Sequence, residues 1–221
     1  MITHLALYLD SPMQSWGYMS KFDQRTSYNF PTKSGILGMI CAAIGLPKSD
    51  TDKLADLNKL KVTVYQLSNP FRAVDYHTVG GGYDNKTQKQ NIVLTANGTT
   101  GNTVQTWREY LMDAKFGVVL SGNDLIVREI NDAMLNPKWG VWLGRKSCVP
   151  TSPICHGIHQ TGEEAKKKIE SVWHQIYPNI PYGIKKTMRD ADSFGDGTES
   201  LMDSPEDFLE RKFNIRRVAV D

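Results

Sequence analysis

The sequence predicts an α+β protein with a ferredoxin-like core. Segments that alternate apolar and polar residues, as strands do, are interleaved with longer segments of helical periodicity. In chain order these segments give strand, helix, strand, strand, helix, strand, which is the order of a ferredoxin-like domain. Such a fold exposes one face of its sheet and often binds RNA there. RNA binding is therefore one function that the fold class itself suggests.

The first strand is predicted over residues 4–9, where apolar residues alternate weakly and turn-forming residues follow. A long polar loop comes next, and it contains Gln14, Trp16 and Arg25. It thus combines stacking rings with hydrogen-bonding and cationic groups. Long loops in compact domains often carry function, so these three residues are candidates for ligand contacts.

The first helix is predicted within residues 30–47, where start and stop signals agree. Thr32 or Ser34 can cap its free amides, and Gly45 suits a left-handed residue at its end. Small residues recur along it at helical spacing and form a stripe, namely Gly35, Gly38, Ala42 and Gly45. Each interior glycine costs roughly 0.5–1 kcal/mol relative to alanine, so we expect something to approach this stripe closely.

The start of this helix also suits a phosphate, because its amides are free and Lys33 lies beside them. The alternative is a tightly packed core helix whose hydroxyl groups only cap it. The P-loop motif GxxxxGK[ST] would require glycine at Ser27 and Thr32, so nucleotide hydrolysis is unsupported. A Ser-His-Asp hydrolase is also unsupported, because the sequence contains no GxSxG motif.

The remaining elements follow in order. Further helices are predicted over 51–60, 124–135 and 163–174. Further strands are predicted over 62–67, 71–79, 104–120 with an interruption at Asp113, 139–143 and 213–220. A compact basic turn is predicted over 144–150, and residues 192–207 are predicted to form a loop.

Residues 80–103 differ from the segments on either side, with three consecutive glycines, many Asn and Thr residues and one apolar island at 92–94. Their position between strand-like flanks suggests a protruding thumb hairpin that orders on contact with a partner. A solvated loop without a role is the alternative. We therefore expect a core of 1–79 and 104–150, an insertion over 80–103 and a C-terminal extension over 151–221 that packs on the core.

The composition sets limits on partners and location. The formal net charge is +2, from 26 basic and 24 acidic residues, which neither demands nor excludes a polyanionic partner. The basic groups are local, since Lys138, Arg145 and Lys146 are the only charged residues between 133 and 150. No apolar run approaches the roughly 20 residues that cross a bilayer, and no basic start of a signal peptide is seen. We expect a cytoplasmic protein with no membrane partner.

The cysteines give no sign of a disulfide framework or a metal centre. Three cysteines are a sparse and odd set, so reduced thiols are expected. A zinc set can be drawn from Cys148, Cys155, His156 and His159, but their spacing matches no usual finger or ribbon. No metal and no cofactor are therefore predicted.

Five motifs, in the correct order and with sensible spacing, resemble the CasD subunits of type I-E CRISPR Cascade complexes: PMQSWG, FPTKSGILGMICAAIG, DYHTV, QTWREYL and WLGRKSC. The resemblance covers most of residues 1–155. It implies a RAMP protein with a modified RNA-recognition fold and a thumb hairpin. It also implies a subunit that holds the 5′ handle of the crRNA, contacts the backbone subunit through the thumb and lies beside the large subunit. Target DNA would be reached only indirectly, through the complex.

The candidate site follows from the resemblance and from the chemistry of the residues. We expect His77 and Tyr76 to stack on a handle base, and Arg108, Arg145 and Lys146 to hold phosphates. The tryptophans are more often core or interface residues, and Trp107 could be buried while Arg108 reaches outward. The full set of candidate RNA-binding residues is Gln14, Trp16, Arg25, Thr32, Lys33, Ser34, Tyr76, His77, Thr78, Arg108, Arg145, Lys146 and Ser147.

Catalysis is the alternative reading of the same residues. Metal-independent RNA cleavage needs a base for the 2′-hydroxyl and a cation for the phosphorane, and His77, Tyr76, Lys33 or Lys146 could supply them. In type I-E systems a separate RAMP endonuclease cuts the precursor, so the resemblance implies binding without catalysis. In a sister type the CasD relative itself cleaves. A protein-interaction module without RNA contact is the third possibility.

Overall fold

The structure, a computed structural model, describes residues 1–80, 83–84, 89–90 and 103–221. The helices described are α1 (Lys33–Ile44), α2 (Thr51–Asn58), α3 (Asp124–Leu135) and α4 (Gly162–Ile176). The strands described are β1 (Ile2–Asp10), β2 (Met13–Gln14), β3 (Gln24–Arg25), β4 (Lys61–Gln66), β5 (Phe71–Val79), β6 (Tyr83–Asp84), β7 (Lys89–Gln90), β8 (Val104–Met112), β9 (Lys115–Asn123), β10 (Cys155–His159), β11 (Lys186–Asp190), β12 (Glu199–Asp207) and β13 (Lys212–Val220).

The main sheet has seven antiparallel strands in the order β10-β1-β9-β4-β11-β13-β12. Strands β10, β1, β9 and β4, together with α1 and α3, form a ferredoxin-like unit. In chain order the strands of this unit are β1, β4, β9 and β10, and in the sheet the first of them lies between the third and the fourth, as in that fold. The predicted fold class is therefore confirmed. The fourth strand is β10, which belongs to this sheet although it lies within the segment predicted as the C-terminal extension.

Two predicted segments differ in the structure. Residues 139–143 do not form a strand, because Leu143 closes a local turn instead: its amide donates to the Cys148 carbonyl (2.9 Å) and its carbonyl accepts from the Ser15 amide (3.2 Å). The predicted loop over 192–207 contains β12, which pairs with β13 with irregular register near Ser204 and Pro205. Burial alternates regularly along β12, but the buried positions are Leu201, Asp203 and Pro205, so the sequence shows no apolar alternation from which a strand could be predicted.

The predicted close approach to α1 is confirmed at Gly35. Thr32 caps the helix, accepting from the Gly35 amide (3.2 Å), and Gly45 ends it with φ of 77°. A Cβ at Gly35 would lie 2.8 Å from a ring carbon of Trp16, so the indole ring packs directly on the helix backbone. At Gly38, by contrast, a Cβ would meet only the tip of Phe208, at 3.9 Å.

The part of the main sheet formed by β10, β1 and β9 is covered on both faces, which corrects, for this part, the expectation of an exposed RNA-binding sheet face. In β1, Leu5 and Leu7 pack with α1 and α3, whereas Tyr8 packs with α4 on the opposite face. The approach of α4 is close, since a Cβ at Gly117 would lie 2.6 Å from Ile169. Burial on both faces also explains the weak alternation of the first strand.

A second sheet stands beside the first and consists mainly of β5 and β8, which we call the ribbon. The two strands pair along their whole length, from Phe71 with Met112 to Val79 with Val104. The short strands β2 and β3 also pair with β8. Because successive residues of a strand point to opposite faces, this register assigns every ribbon residue to one of two faces.

The insertion predicted as a thumb falls almost wholly outside the described residues. Within it, β6 and β7 pair with each other in antiparallel fashion. The thumb itself stays a prediction. Among the residues that the structure describes, no helix is long and apolar enough to cross a membrane.

Candidate nucleic-acid interface

A cleft of about 890 Å³ opens between one face of the ribbon and the turn that follows Gly144. The register pairs Ala73 with Tyr110 and Asp75 with Arg108, so these four side chains share that face. The residues that line the cleft are Met13, Ala73, Val74, Asp75, His77, Arg108, Tyr110, Met112, Arg145, Lys146 and Ser147. Five of the predicted RNA-binding residues therefore meet in one place: His77, Arg108, Arg145, Lys146 and Ser147.

Arg145 is held in a fixed position within this cleft. Its Nη2 donates to the backbone carbonyl of Arg25 (2.9 Å), and its guanidinium carbon lies 4.8 Å from the centre of the Tyr110 ring. Its Nη1 is buried and has no hydrogen-bond partner among the described residues. Two contacts thus orient the group while one donor stays unsatisfied, an arrangement suited to an incoming acceptor.

The cations of the cleft are not neutralised by carboxylates. Within the described part of the chain, Arg108, Arg145 and Lys146 have no carboxylate oxygen within 4.0 Å. Asp75, the one acidic residue among those lining the cleft, lies 3.7 Å from His77. Among the described residues, the Nε of Arg108 donates to the Thr106 hydroxyl (2.9 Å). The cleft as a whole therefore carries excess positive charge, from Arg108 on the ribbon and Arg145 and Lys146 on the turn, that a polyanion can neutralise.

The opposite face of the ribbon has a different character. Tyr76 and Trp107 pair there with ring centres 5.3 Å apart, and Tyr76 is 53% exposed. Thr78 shares that face and is also exposed. Because Tyr76 and His77 are neighbours on a strand, their side chains point to opposite faces. The expectation that both stack on one base does not agree with this geometry.

Gln14 and Trp16 are interior residues. Both are fully buried. The Gln14 amide donates to the carbonyls of Leu9 (3.1 Å) and Ala114 (2.7 Å) and accepts from the Trp16 indole nitrogen (3.1 Å). These bonds tie the 14–17 loop to the core. The structure thus gives both residues a packing role and leaves neither side chain available to RNA.

The start of α1 holds an anion that the chain itself supplies. The backbone amide of Lys33 donates to a carboxylate oxygen of Asp203 (2.7 Å), and the side-chain Nζ of Lys33 lies 3.7 Å from a carboxylate oxygen of Asp190. Burial lowers the pKa of Lys33, although the nearby carboxylate of Asp190 opposes that shift. Thr32 is also buried, and the Ser34 hydroxyl donates toward it (3.4 Å). The prediction of an RNA phosphate at this position is therefore not supported.

The remaining candidate, Arg25, contributes through its backbone as well as its side chain. The backbone carbonyl of Arg25 accepts a hydrogen bond from Arg145. Arg25 and Ser34 also line a separate hollow. Sequence reasoning missed Asp75, Thr106 and Tyr110, which line or support the cleft. The signal was available in the alternation of the strand around QTWREYL, but only the pairing register shows which residues share a face.

The fold and the cation-lined cleft together define a RAMP-type protein, a ferredoxin-like core extended by a β ribbon. The family described as CRISPR-associated protein (Cas_Cas5) matches residues 4–219, and the chain belongs to that family. The resemblance drawn from the five motifs is thereby confirmed.

Individual relatives agree with this assignment. The chain is 31% identical to the CRISPR system Cascade subunit CasD of Escherichia coli (strain K12), over 100% of this chain and 99% of that protein. A solved structure described as a CRISPR RNA-guided surveillance complex contains a chain with a TM-score of 0.72 and 27% identity, covering 99% of this chain and 89% of that one. A crystal structure of a Cas protein has a TM-score of 0.64 and 28% identity, covering 99% and 93%.

Proposed function

We propose that this protein is a non-catalytic, crRNA-binding subunit of a type I-E CRISPR Cascade complex that serves antiviral defence. In this proposal it holds the 5′ handle of the guide RNA and caps the filament of backbone subunits. The observation that carries the proposal is the cleft beside the ribbon, where Arg108, Arg145 and Lys146 converge without carboxylate partners in the described chain. The relative named as a Cascade subunit and the neighbour from an RNA-guided complex supply the biological context.

The cleft suits a sugar-phosphate backbone better than a small anion. It is large and open, and its cations come from two separate elements, the ribbon and the turn. Arg145 is already oriented by Arg25 and Tyr110, so it loses less conformational freedom when it binds a phosphate. On the other face of the ribbon, Tyr76 and Thr78 are proposed to contact a different nucleotide of the same RNA. The exposed Tyr76 ring is available for stacking on a base.

The partners in the complex are proposed from the family and the sequence. The insertion over 80–103 is proposed to contact the backbone subunit as a thumb. The large subunit is proposed to lie alongside, and target DNA to be reached only through the assembled complex. The protein is proposed to work in the cytoplasm, where CRISPR RNA is made.

Removing the cations of the cleft is expected to weaken RNA binding. We expect Arg108→Ala and Arg145→Ala each to lower the affinity for a labelled RNA of the CRISPR repeat by about tenfold, the size of one charge-assisted hydrogen bond. Each should also reduce the slope of log affinity against log salt by about one. Fluorescence anisotropy at several salt concentrations measures both quantities.

The matched control is Arg128→Ala, which removes an exposed arginine that pairs with Asp124 on α3, far from the cleft in the fold. It should leave RNA affinity and salt slope unchanged. If all three variants bind RNA as tightly as the wild type, the cleft is not the RNA site and a protein-only role becomes the better reading.

The absence of cleavage is a separate prediction. Labelled repeat RNA incubated with the purified protein in EDTA is expected to stay intact, because the resemblance to type I-E subunits implies binding without catalysis. In addition, His77 and Tyr76 point to opposite faces of the ribbon and cannot act as a pair on one phosphodiester. Specific cleavage that is abolished by His77→Ala and kept in Tyr76→Phe would establish the endoribonuclease alternative. Gel analysis of the RNA distinguishes the two.

A further inference from the structure

A second concave surface lies apart from the cleft and shares no lining residue with it. This apolar groove has a volume of about 450 Å³ and lies between the C-terminal half of α1, the start of α2 and the turn that joins β12 to β13. Its lining residues are Gly38, Cys41, Ala42, Leu46, Pro47, Lys48, Asp50, Leu54, Trp139, Phe208, Arg211 and Phe213. A volume of this size is typical of sites that enclose one or two large organic groups.

The floor of the groove contains a glycine that internal packing does not explain. Gly38 lies in the interior of α1, where glycine costs roughly 0.5–1 kcal/mol relative to alanine. At Gly35 the close approach of Trp16 accounts for that cost, but at Gly38 the nearest neighbour of a Cβ would be Phe208 at 3.9 Å, an ordinary contact. An alanine would fit there. The floor of the groove is open at Gly38, and only a side chain larger than that of alanine would fill it.

The wall of the groove presents an exposed tryptophan in a fixed place. Trp139 is 53% exposed, yet its amide donates to the Ala42 carbonyl (3.2 Å) and the preceding Lys138 amide donates to the Ala43 carbonyl (2.9 Å). These two bonds fasten the segment to α1. A large exposed ring that is anchored beside an apolar cavity resembles the aromatic anchors of protein interfaces.

The edge of the groove is positively charged. Lys48 and Arg211 line it, and in the described part of the chain neither has a carboxylate oxygen within 4.0 Å. The one acidic side chain in the lining, Asp50, already caps α2 by accepting from the Lys53 amide (3.1 Å). With two cations and one carboxylate the edge has a net positive charge, which favours a ligand that combines negative charge with an apolar part that enters the groove.

We propose that the apolar groove binds a segment of a partner protein in which a large apolar side chain is flanked by acidic residues. The apolar side chain fills the space above Gly38 against Phe208 and Trp139, and the acidic residues pair with Lys48 and Arg211. A nucleobase fits less well, because its edges need hydrogen-bonding partners and the floor is formed by Gly38, Ala42 and Leu54. This surface does not depend on the RNA-binding role of the cleft.

The test is selection of ligands on the intact protein. A display library of random short peptides is selected on the full chain and counter-selected on Gly38→Leu, in which a side chain extends into the groove. We expect enrichment of sequences that place Phe, Leu or Trp between Asp or Glu residues. A selected peptide is then synthesised, labelled and titrated by fluorescence anisotropy against the wild type and the variants.

Gly38→Leu and Trp139→Ala should each weaken the peptide by about tenfold or more, as expected for loss of a central anchor. Gly38→Ala leaves the groove open, and Leu125→Ala removes an exposed apolar residue on α3, so both should bind as the wild type does. Trp139→Ala alters only an exposed side chain, so its peptide affinity tests the proposal even if Gly38→Leu does not fold. The proposal is overturned if no such sequences are enriched or if the peptides bind all variants equally. It is also overturned if single-stranded RNA binds the groove and Trp139→Ala abolishes that binding.

Discussion

Arg216→Met is expected to lower the free energy of unfolding by about 3–5 kcal/mol, the usual cost of removing one member of a buried ion network. The Arg216 guanidinium bonds both oxygens of Asp203, at 2.7 and 2.9 Å, and its third nitrogen bonds Asp190. Asp203 is 1% exposed. The variant would leave the buried carboxylate of Asp203 and the partly buried carboxylate of Asp190 without their main counterion.

The network also connects parts of the fold that are distant in sequence. It joins β11, β12 and β13 to the start of α1, where Asp203 accepts from the Lys33 amide. Burial lowers the pKa of Arg216, but the hydrogen bonds and charges of Asp203 and Asp190 outweigh it and raise that pKa. The charged form is therefore stabilised in the folded protein. Equilibrium denaturation in urea, with thermal unfolding as a second measure, gives the loss.

Lys33→Met is the matched control, because it removes the other cation of the same network. We expect a change near zero, since burial lowers the pKa of Lys33 and the charged amine is thus disfavoured in the folded state. The sign of the pH dependence follows. Between the lowered pKa of Lys33 in the folded protein and the ordinary lysine pKa, the unfolded chain binds more protons than the folded chain does. The free energy of unfolding of the wild type, relative to that of Lys33→Met, should therefore increase as pH rises through this range. Equal losses in Arg216→Met and Lys33→Met would contradict this account.

The helices could be predicted from the sequence because their signals are local. α3 begins after the capping residue Asn123 and ends before Pro137, and its predicted bounds match the structure. β11 could not be predicted, because Met188 is its one buried residue and its place is fixed by pairing with β4 and β13. Strands that depend on distant partners leave little local signal.

The interpretation of the first helix was partly correct for a physical reason. A helix start with free amides and a lysine does attract an anion, and an anion is present there. The anion is the carboxylate of Asp203, which lies 170 residues further along the chain. No local pattern distinguishes a site that an external phosphate fills from one that the chain fills itself.

The candidate site could be predicted as a set of residues but not as a surface. The motifs selected His77, Arg108, Arg145 and Lys146, which the structure brings together in one cleft, and their contact with RNA stays a prediction. They could not exclude the buried Trp16, because a tryptophan in a polar loop has the same sequence signature whether it stacks on a base or on a helix. The pairing register of the ribbon and the packing of α4 decide which surfaces are open to a ligand, and both depend on tertiary contacts.

Gly144→Ala is expected to lower the affinity for repeat RNA by about a hundredfold, because it would displace the turn that carries both Arg145 and Lys146. Gly144 has φ of 98°, and a Cβ there would lie 1.7 Å from the backbone carbonyl oxygen of Ser15. The contact is with backbone on both sides, so no side-chain rotation can relieve it. The turn must move away from Ser15, and Arg145 then loses its bond to the Arg25 carbonyl.

Gly157→Ala is the matched control, since Gly157 also has a positive φ, 88°, but nothing lies within 4 Å of its Cβ position. Both variants place alanine in the left-handed region, which costs about 1–2 kcal/mol of stability. Only Gly144→Ala should also lose RNA binding, whereas Gly157→Ala should bind as the wild type does. The double variant Arg145→Ala/Lys146→Ala keeps the turn and should reproduce the loss in anisotropy titrations. If Gly144→Ala binds RNA as tightly as Gly157→Ala does, then the position of the turn does not control the interface, and RNA must contact the protein on another surface.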